Sequence, residues 1–203
     1  YDLDDNGLSE LLVPSSNLLY YNRGGWQFDR QTLMAYPPDK TILASLAGDF
    51  NGDGRVDLLC ATRNLPILYL ADDRGKFAAR GKVIDAVGQE LGEPSVLTAG
   101  DIDADGDLDV WLAQYKQAYR VGQMPTPYYD ANDGFPAFLL LNDGAGHFQN
   151  VTDSRGLGAK RHRRTYGGSF IDLDDDGDLD LAVASDYAGL DVYLNDGKGH
   201  FQD

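Results

Sequence analysis

Short apolar runs recur along the chain, and none carries the three-to-four-residue spacing of an amphipathic helix. Val96-Leu97-Thr98-Ala99-Gly100 and Tyr166-Gly167-Gly168-Ser169-Phe170-Ile171 lead into acidic stretches. Leu58-Leu59-Cys60-Ala61, Val110-Trp111-Leu112-Ala113 and Leu181-Ala182-Val183-Ala184 follow such stretches. Runs this short, apolar at consecutive positions, bury both faces, as strands do when their sheet lies between two others. A second kind of run ends in turn residues: Leu139-Leu140-Leu141 before Asn142-Asp143-Gly144, and Val192-Tyr193-Leu194 before Asn195-Asp196-Gly197. Asn and Gly adopt left-handed backbone at little cost, so this pattern predicts a hairpin. The stretches from Leu68 to Phe77 and from Leu19 to Phe28 are looser copies, with Ala71 and Asp73 standing where the second turn would have Asn and Gly.

Laid end to end, these signals give a repeating unit of strand, acidic loop, strand, short link, strand, turn and strand. Four short strands every ~50 residues predict an all-β chain built of β-propeller blades. The units fall at approximately 1–40, 41–90, 91–160 and 161–203. The chain opens inside the first acidic loop and closes just after the last turn, so the expectation is about four blades cut at both ends. A propeller of about seven blades needs ~350 residues, so the expectation is a partial propeller, the alternatives being a small propeller or one completed by another chain. The third unit carries an insertion, approximately 114–136, that is rich in tyrosine. Loops of that length are usually functional or disordered.

The acidic stretches share one spacing: acid-x-Asp/Asn-x-Asp/Asn-Gly-x-x-acid. Loop one places Asp2, Asp4, Asn6, Leu8 and Glu10 at its odd positions, and loop two places Asp49, Asn51, Asp53, Arg55 and Asp57. Loop three has Asp101, Asp103, Asp105, Asp107 and Asp109, and loop four has Asp172, Asp174, Asp176, Asp178 and Asp180. Calcium takes six to eight hard oxygen ligands in a flexible shell. Positions 1, 3, 5 and 9 supply side-chain oxygens, position 7 a backbone carbonyl, and Gly at position 6 the sharp turn. The spacing therefore predicts up to four Ca2+ ions. An EF-hand loop begins the same way but requires Glu at position 12 between two helices. Here position 12 is Val13, Cys60, Leu112 and Val183, all apolar and all in predicted strands, so the EF-hand is excluded.

Charge sharpens that reading. The formal net charge is -16, and more than half of the 33 acidic residues sit in the four loops. Carboxylates that close repel one another unless a cation intervenes. So acidic a chain is a poor partner for nucleic acid or an anionic membrane. No apolar run is long enough to span a membrane directly, and the single cysteine, Cys60, allows no internal disulfide.

The four in-frame loops with their hairpin turns resemble the FG-GAP/VCBS repeats of integrin α-subunit propellers and their bacterial relatives. The segment from Phe138 to Asp203 is most similar to the cartilage acidic protein and UnbV-type group. The resemblance implies a propeller of about seven blades with a calcium site between the first two strands of each blade. It also implies an extracellular, cell-surface or periplasmic location, roles such as cell adhesion, and no shared enzymatic activity. The expected function is a calcium-binding module for protein interaction or scaffolding, its calcium structural. The alternatives are a calcium-dependent carbohydrate-binding or polysaccharide-active propeller, and an accessory subunit of a larger membrane or extracellular assembly. Expected partners are therefore a protein, the subunits of an assembly, or a glycan.

The remaining polar residues give no nucleophile–base constellation, no zinc spacing and no phosphate loop. His147 and His200 occupy equivalent turn positions and read as structural. Lys160-Arg161-His162-Arg163-Arg164 is the one basic cluster, either a patch for an anionic partner or a solvated link between blades. Trp26 and Trp111 read as core residues, and the insertion's tyrosines either offer apolar area with a polar tip to a sugar or protein or belong to a loop that merely covers the core.

Overall fold

The computed structural model describes every residue except Asp5 in loop one and Val121 and Gly122 in the insertion. Among the described residues, fifteen strands form four antiparallel meanders. The first is three-stranded: β1 (Leu11–Val13), β2 (Leu18–Asn22) and β3 (Phe28–Thr32). The second holds β4 (Ile42–Gly48), β5 (Asp57–Thr62), β6 (Pro66–Tyr69) and β7 (Lys82–Val83). The third holds β8 (Pro94–Gly100), β9 (Asp109–Gln114), β10 (Phe138–Asn142) and β11 (Phe148–Asn150). The fourth holds β12 (Arg164–Ile171), β13 (Asp180–Asp186), β14 (Gly189–Asn195) and β15 (Phe201–Gln202). Neighbouring strands in each sheet are neighbours in sequence, the arrangement of a propeller blade.

The two-faced apolar runs become the interleaved cores. Every residue of β5 and β9 is buried. Side chains on a strand alternate between faces, so β5 turns Leu58 and Cys60 toward Leu19 and Tyr21 of the first sheet. Its alternate residues Leu59 and Ala61 pack with Val110, Leu112, Phe138 and Leu140 of the third. On β9 the other set, Trp111 and Ala113, packs with Leu181, Val183 and Tyr193 of the fourth. The second and third sheets are thus each a filling between two others, and a one-residue slip in either would exchange both of its cores at once.

The first strands of successive sheets lie side by side, β8 against β4 on one flank and β12 on the other. At the end of β8, Gly100 packs close to the fourth sheet's acidic loop, where a Cβ would come within 2.6 Å of a Leu179 methyl. A side chain there would push the fourth sheet's acidic loop away from the third sheet.

A meander also fixes which connections share an end of the sheet. In the four-stranded sheets the links from first to second strand, which are the acidic loops, and from third to fourth strand, which are the hairpin turns, lie at one end. The second-to-third links and the connections between sheets lie at the other. The tyrosine-rich insertion joins β9 to β10 and therefore sits opposite the acidic loops, together with the basic cluster that precedes β12.

Trp111 is a core residue, 3% exposed, as its pattern implies. Trp26 is not: it is 95% exposed. It follows Gly24 and Gly25 at the tip of the β2–β3 hairpin, with a left-handed backbone (φ 62°) that turns its ring outward.

Candidate metal centres

The four acidic loops share one set of backbone hydrogen bonds. The glycine at position 6 has positive φ in each, at Gly7, Gly54, Gly106 and Gly177. That turn brings its amide back to the carboxylate at position 1. Gly7, Gly54, Gly106 and Gly177 donate to Asp2, Asp49, Asp101 and Asp172 at 2.7, 2.7, 3.0 and 3.1 Å. Position 5 accepts from the amide of position 7: Asn6 from Leu8, Asp53 from Arg55, Asp105 from Asp107, and Asp176 from Asp178.

The carboxylate at position 9 has a further task. Asp57, Asp109 and Asp180 are fully buried, and Glu10 nearly so. One oxygen of each accepts the amide of position 2, from Phe50, Ile102, Leu173 and Leu3 respectively. The other accepts an amide where the strand before the hairpin turn ends, from Ala71, Asn142, Asn195 and Asn22. One side chain thus ties the start of the acidic loop to the hairpin beyond it. Burial outweighs these bonds and pushes Asp109 up to about 7, and raises Asp57 in the same way.

Oxygens of positions 1, 3 and 9 converge within 4.8 Å of one another in three loops: Asp2, Asp4 and Glu10; Asp101, Asp103 and Asp109; and Asp172, Asp174 and Asp180. In loop two the third position is Asn51, whose Nδ2 donates to Asp53 at 2.8 Å. Burial, reinforced by neighbouring carboxylates, raises Asp103, Asp107, Asp174 and Asp178. At position 7 the Asp107 and Asp178 side chains lean over the hairpin glycines, where a Cβ on Gly144 or Gly197 would meet their carboxylates at 2.5 and 2.4 Å. Two oxygens, Asp103 Oδ1 and Asp172 Oδ1, are buried with no hydrogen-bond partner among the described residues. A buried acceptor without a donor is unfavourable. A hard divalent cation bound by carboxylates would satisfy both oxygens, so the residues present fit calcium.

The spacing of the loops did not disclose the asparagine that opens each turn. Asn142 Nδ2 donates to Leu108 O of its own loop (3.3 Å) and to Phe50 O of the preceding one (3.0 Å). Asn195 does the same with Leu179 O (3.1 Å) and Ile102 O (2.8 Å). Each asparagine therefore fastens two successive sheets. The signal in the sequence was its recurrence at the same distance from the loop, read there only as turn chemistry. Ala71 has no side-chain amide to offer at the equivalent place in the second sheet. The aspartate after it serves the turn itself: Asp72, Asp143 and Asp196 accept the amides two and four residues on. His147 bonds Asp143 (3.0 Å) and His200 lies against Arg155 (3.0 Å), at the hairpins.

The basic cluster is neither a free patch nor a solvated link. Lys160 pairs with Asp191 and Asp203, and Arg161 with Asp153. Arg163 pairs with Asp130 and Asp191, and Arg164 with Asp133. Arg164 is fully buried and also donates to Lys116 O at 2.8 Å, so it anchors both limbs of the insertion. The insertion gathers tyrosines above that anchor. Tyr119 and Tyr128 meet Tyr187 at centroid distances of 6.5 and 5.3 Å, and Tyr128 meets Tyr129 at 5.1 Å. Beside them Tyr115 contacts Tyr166 and donates to Asp186 at 2.9 Å.

A family model described as FG-GAP-like repeat matches residues 2–60 and 49–112. No curated protein matches the chain. Among solved structures, the chain is similar to an Agrocybe aegerita lectin described as recognising non-reducing terminal N-acetylglucosamine. The identity is 16% and the TM-score 0.38, over 91% of this chain and 59% of that one. The chain thus spans less than two thirds of the lectin's length, and at that score the likeness carries no argument.

Replacing Asn195 with alanine removes two buried bonds and leaves Ile102 O and Leu179 O without that donor. Urea unfolding should show a loss of about 1–3 kcal/mol, whereas an unchanged midpoint would mean that the asparagine fastens nothing.

Proposed function

The chain belongs to the FG-GAP-like repeat family, and from that premise we propose that it is a calcium-stapled propeller module for protein interaction at the cell surface, outside the cell or in the periplasm. Calcium is structural in this reading: Asp, Asn and Glu side chains at positions 1, 3, 5 and 9 hold it, with the carbonyls of Leu8, Arg55, Asp107 and Asp178. The observation that carries the reading is the convergence of three acids around a buried carboxylate, with Asp103 Oδ1 and Asp172 Oδ1 buried and unpartnered. Repeats of this family are generally structural or interaction modules, and the proposed role is accordingly non-enzymatic. The four sheets make up part of a larger propeller, which is the unit expected to meet a partner or the subunits of an assembly. No helix is long and apolar enough to cross a membrane.

The end opposite the metal loops is the proposed contact surface. Four tyrosines of its cluster stand in solvent, with exposures of 54% (Tyr119), 43% (Tyr128), 89% (Tyr129) and 60% (Tyr166). Tyrosine gives large contact area at low entropic cost and is enriched where proteins meet. The cluster also favours a second reading, a glycan whose apolar faces stack on the rings while its hydroxyls meet tyrosine tips and Asp186. The neighbouring arginines Arg120, Arg163 and Arg164 are paired with carboxylates, so an uncharged ligand suits this surface better than an anionic one.

Chelation tests the metal. A ligand bound only to the folded state at a thousand times its Kd adds about 4 kcal/mol per site. Excess EDTA should therefore lower the melting temperature by roughly 10 °C or more, with recovery on adding Ca2+. An unchanged curve would end the calcium reading. Tyr129→Ala should abolish binding to a protein partner or to an arrayed glycan without moving the melting temperature; retained binding would exclude the tyrosine surface.

A further inference from the structure

The four loops are not alike in what already lies against their carboxylates. Loops three and four are aspartate at every odd position, and no ion pair involves those residues among the described ones. The two unpartnered buried carboxylate oxygens, Asp103 Oδ1 and Asp172 Oδ1, belong to these loops. In loop one, by contrast, Arg23 Nη1 lies 2.6 Å from Asp4 Oδ2, so a guanidinium rests on one of the three converging acids. Arg23 follows Asn22 at the hairpin, the place held by Asp143 and Asp196 in the third and fourth sheets. Its other contact, Asp29 at 2.8 Å, holds it there. In loop two the cation comes from within: Arg55, at position 7, reaches Asp53 Oδ2 at 2.5 Å, and Asn51 donates to the same oxygen at 2.8 Å.

We propose that the chain carries two classes of calcium site: tight ones in loops three and four, and weak ones in loops one and two, where Arg23 and Arg55 act as built-in competing cations. The proposal rests on the calcium reading above. A guanidinium touching a ligating carboxylate occupies an oxygen the metal needs and repels the incoming dication at short range. Binding must therefore displace the arginine as well as gather the loop. Loops three and four ask for no such exchange, and the hairpin place that Arg23 takes beside loop one is held there by a carboxylate, Asp143 or Asp196. Full occupancy is then reached only where calcium is abundant, and the first and second sheets tighten later than the third and fourth as calcium rises.

The test is calorimetric titration of the chelator-stripped chain with CaCl2. Two ions should bind at least tenfold more tightly than any others. Arg23→Gln should add a third ion to the tight class, and Arg55→Gln serves as an independent second variant for loop two. Asp103→Asn should remove one ion from the tight class. Four equivalent ions, or a tight class that stays at two ions in both arginine variants, would overturn the proposal while leaving calcium binding itself intact. Absence of any binding, with melting indifferent to EDTA, would overturn both.

Discussion

A buried carboxylate that accepts two backbone amides from different parts of its sheet is the contact on which the rest of this structure turns. Asp109 holds Ile102 N at the mouth of its loop and Asn142 N at the end of the third strand. Asp57 and Asp180 repeat the arrangement. Without it the acidic loop and the hairpin would be two independent turns at the same end of a sheet. With it they form one body, and asparagines such as Asn195 then connect that body to the loop of the preceding sheet. The arrangement carries its own constraint. A buried anion bonded only to neutral amides remains costly, as the rise of Asp109 to about 7 shows. Crowding more acids around it is tolerable only with a cation, so the structural role of position 9 and the proposed metal have one electrostatic origin.

The two ends of the sheets divide the labour. At the loop end, repetition is strict because each loop, turn and asparagine must fit the next sheet. At the other end the second-to-third link is free of that requirement, and there the third sheet grows its insertion. The insertion is held by charge rather than by a core: Arg164 reaches Asp133 and Lys116 O, and Arg163 reaches Asp130. Buried pairs of this kind fix geometry more than they add stability, which suits the proposed role of the segment in presenting tyrosines.

Much of this was legible in the sequence, for a physical reason. Strands buried on both faces leave continuous apolar runs, and loops that must turn on glycine and gather acids leave a fixed spacing. So the all-β repeat and the acidic trios could be read directly. What escaped was everything that depends on which sheet faces which. The inter-sheet bonds of Asn142 and Asn195 span residues far apart in the chain, and no local pattern announces them. The basic cluster looked free because its partners Asp130, Asp133, Asp153, Asp191 and Asp203 are spread over three connections and strands. Trp26 looked like core because apolar character was weighed without its backbone, and the preceding Gly-Gly pair was the clue that it stands at a turn tip. Arg23 and Arg55 sat inside or beside motifs whose acids drew attention away from them.

The claim at the centre is that the position-9 carboxylates hold each loop to its hairpin. Native-state amide hydrogen exchange, read residue by residue, tests it most directly. The account predicts that Ile102, Asn142, Leu173 and Asn195 amides exchange as slowly as the interior of β9 and β13, although all four lie at or beyond strand ends. Exchange of those four amides at the rate of ordinary surface turns would contradict it.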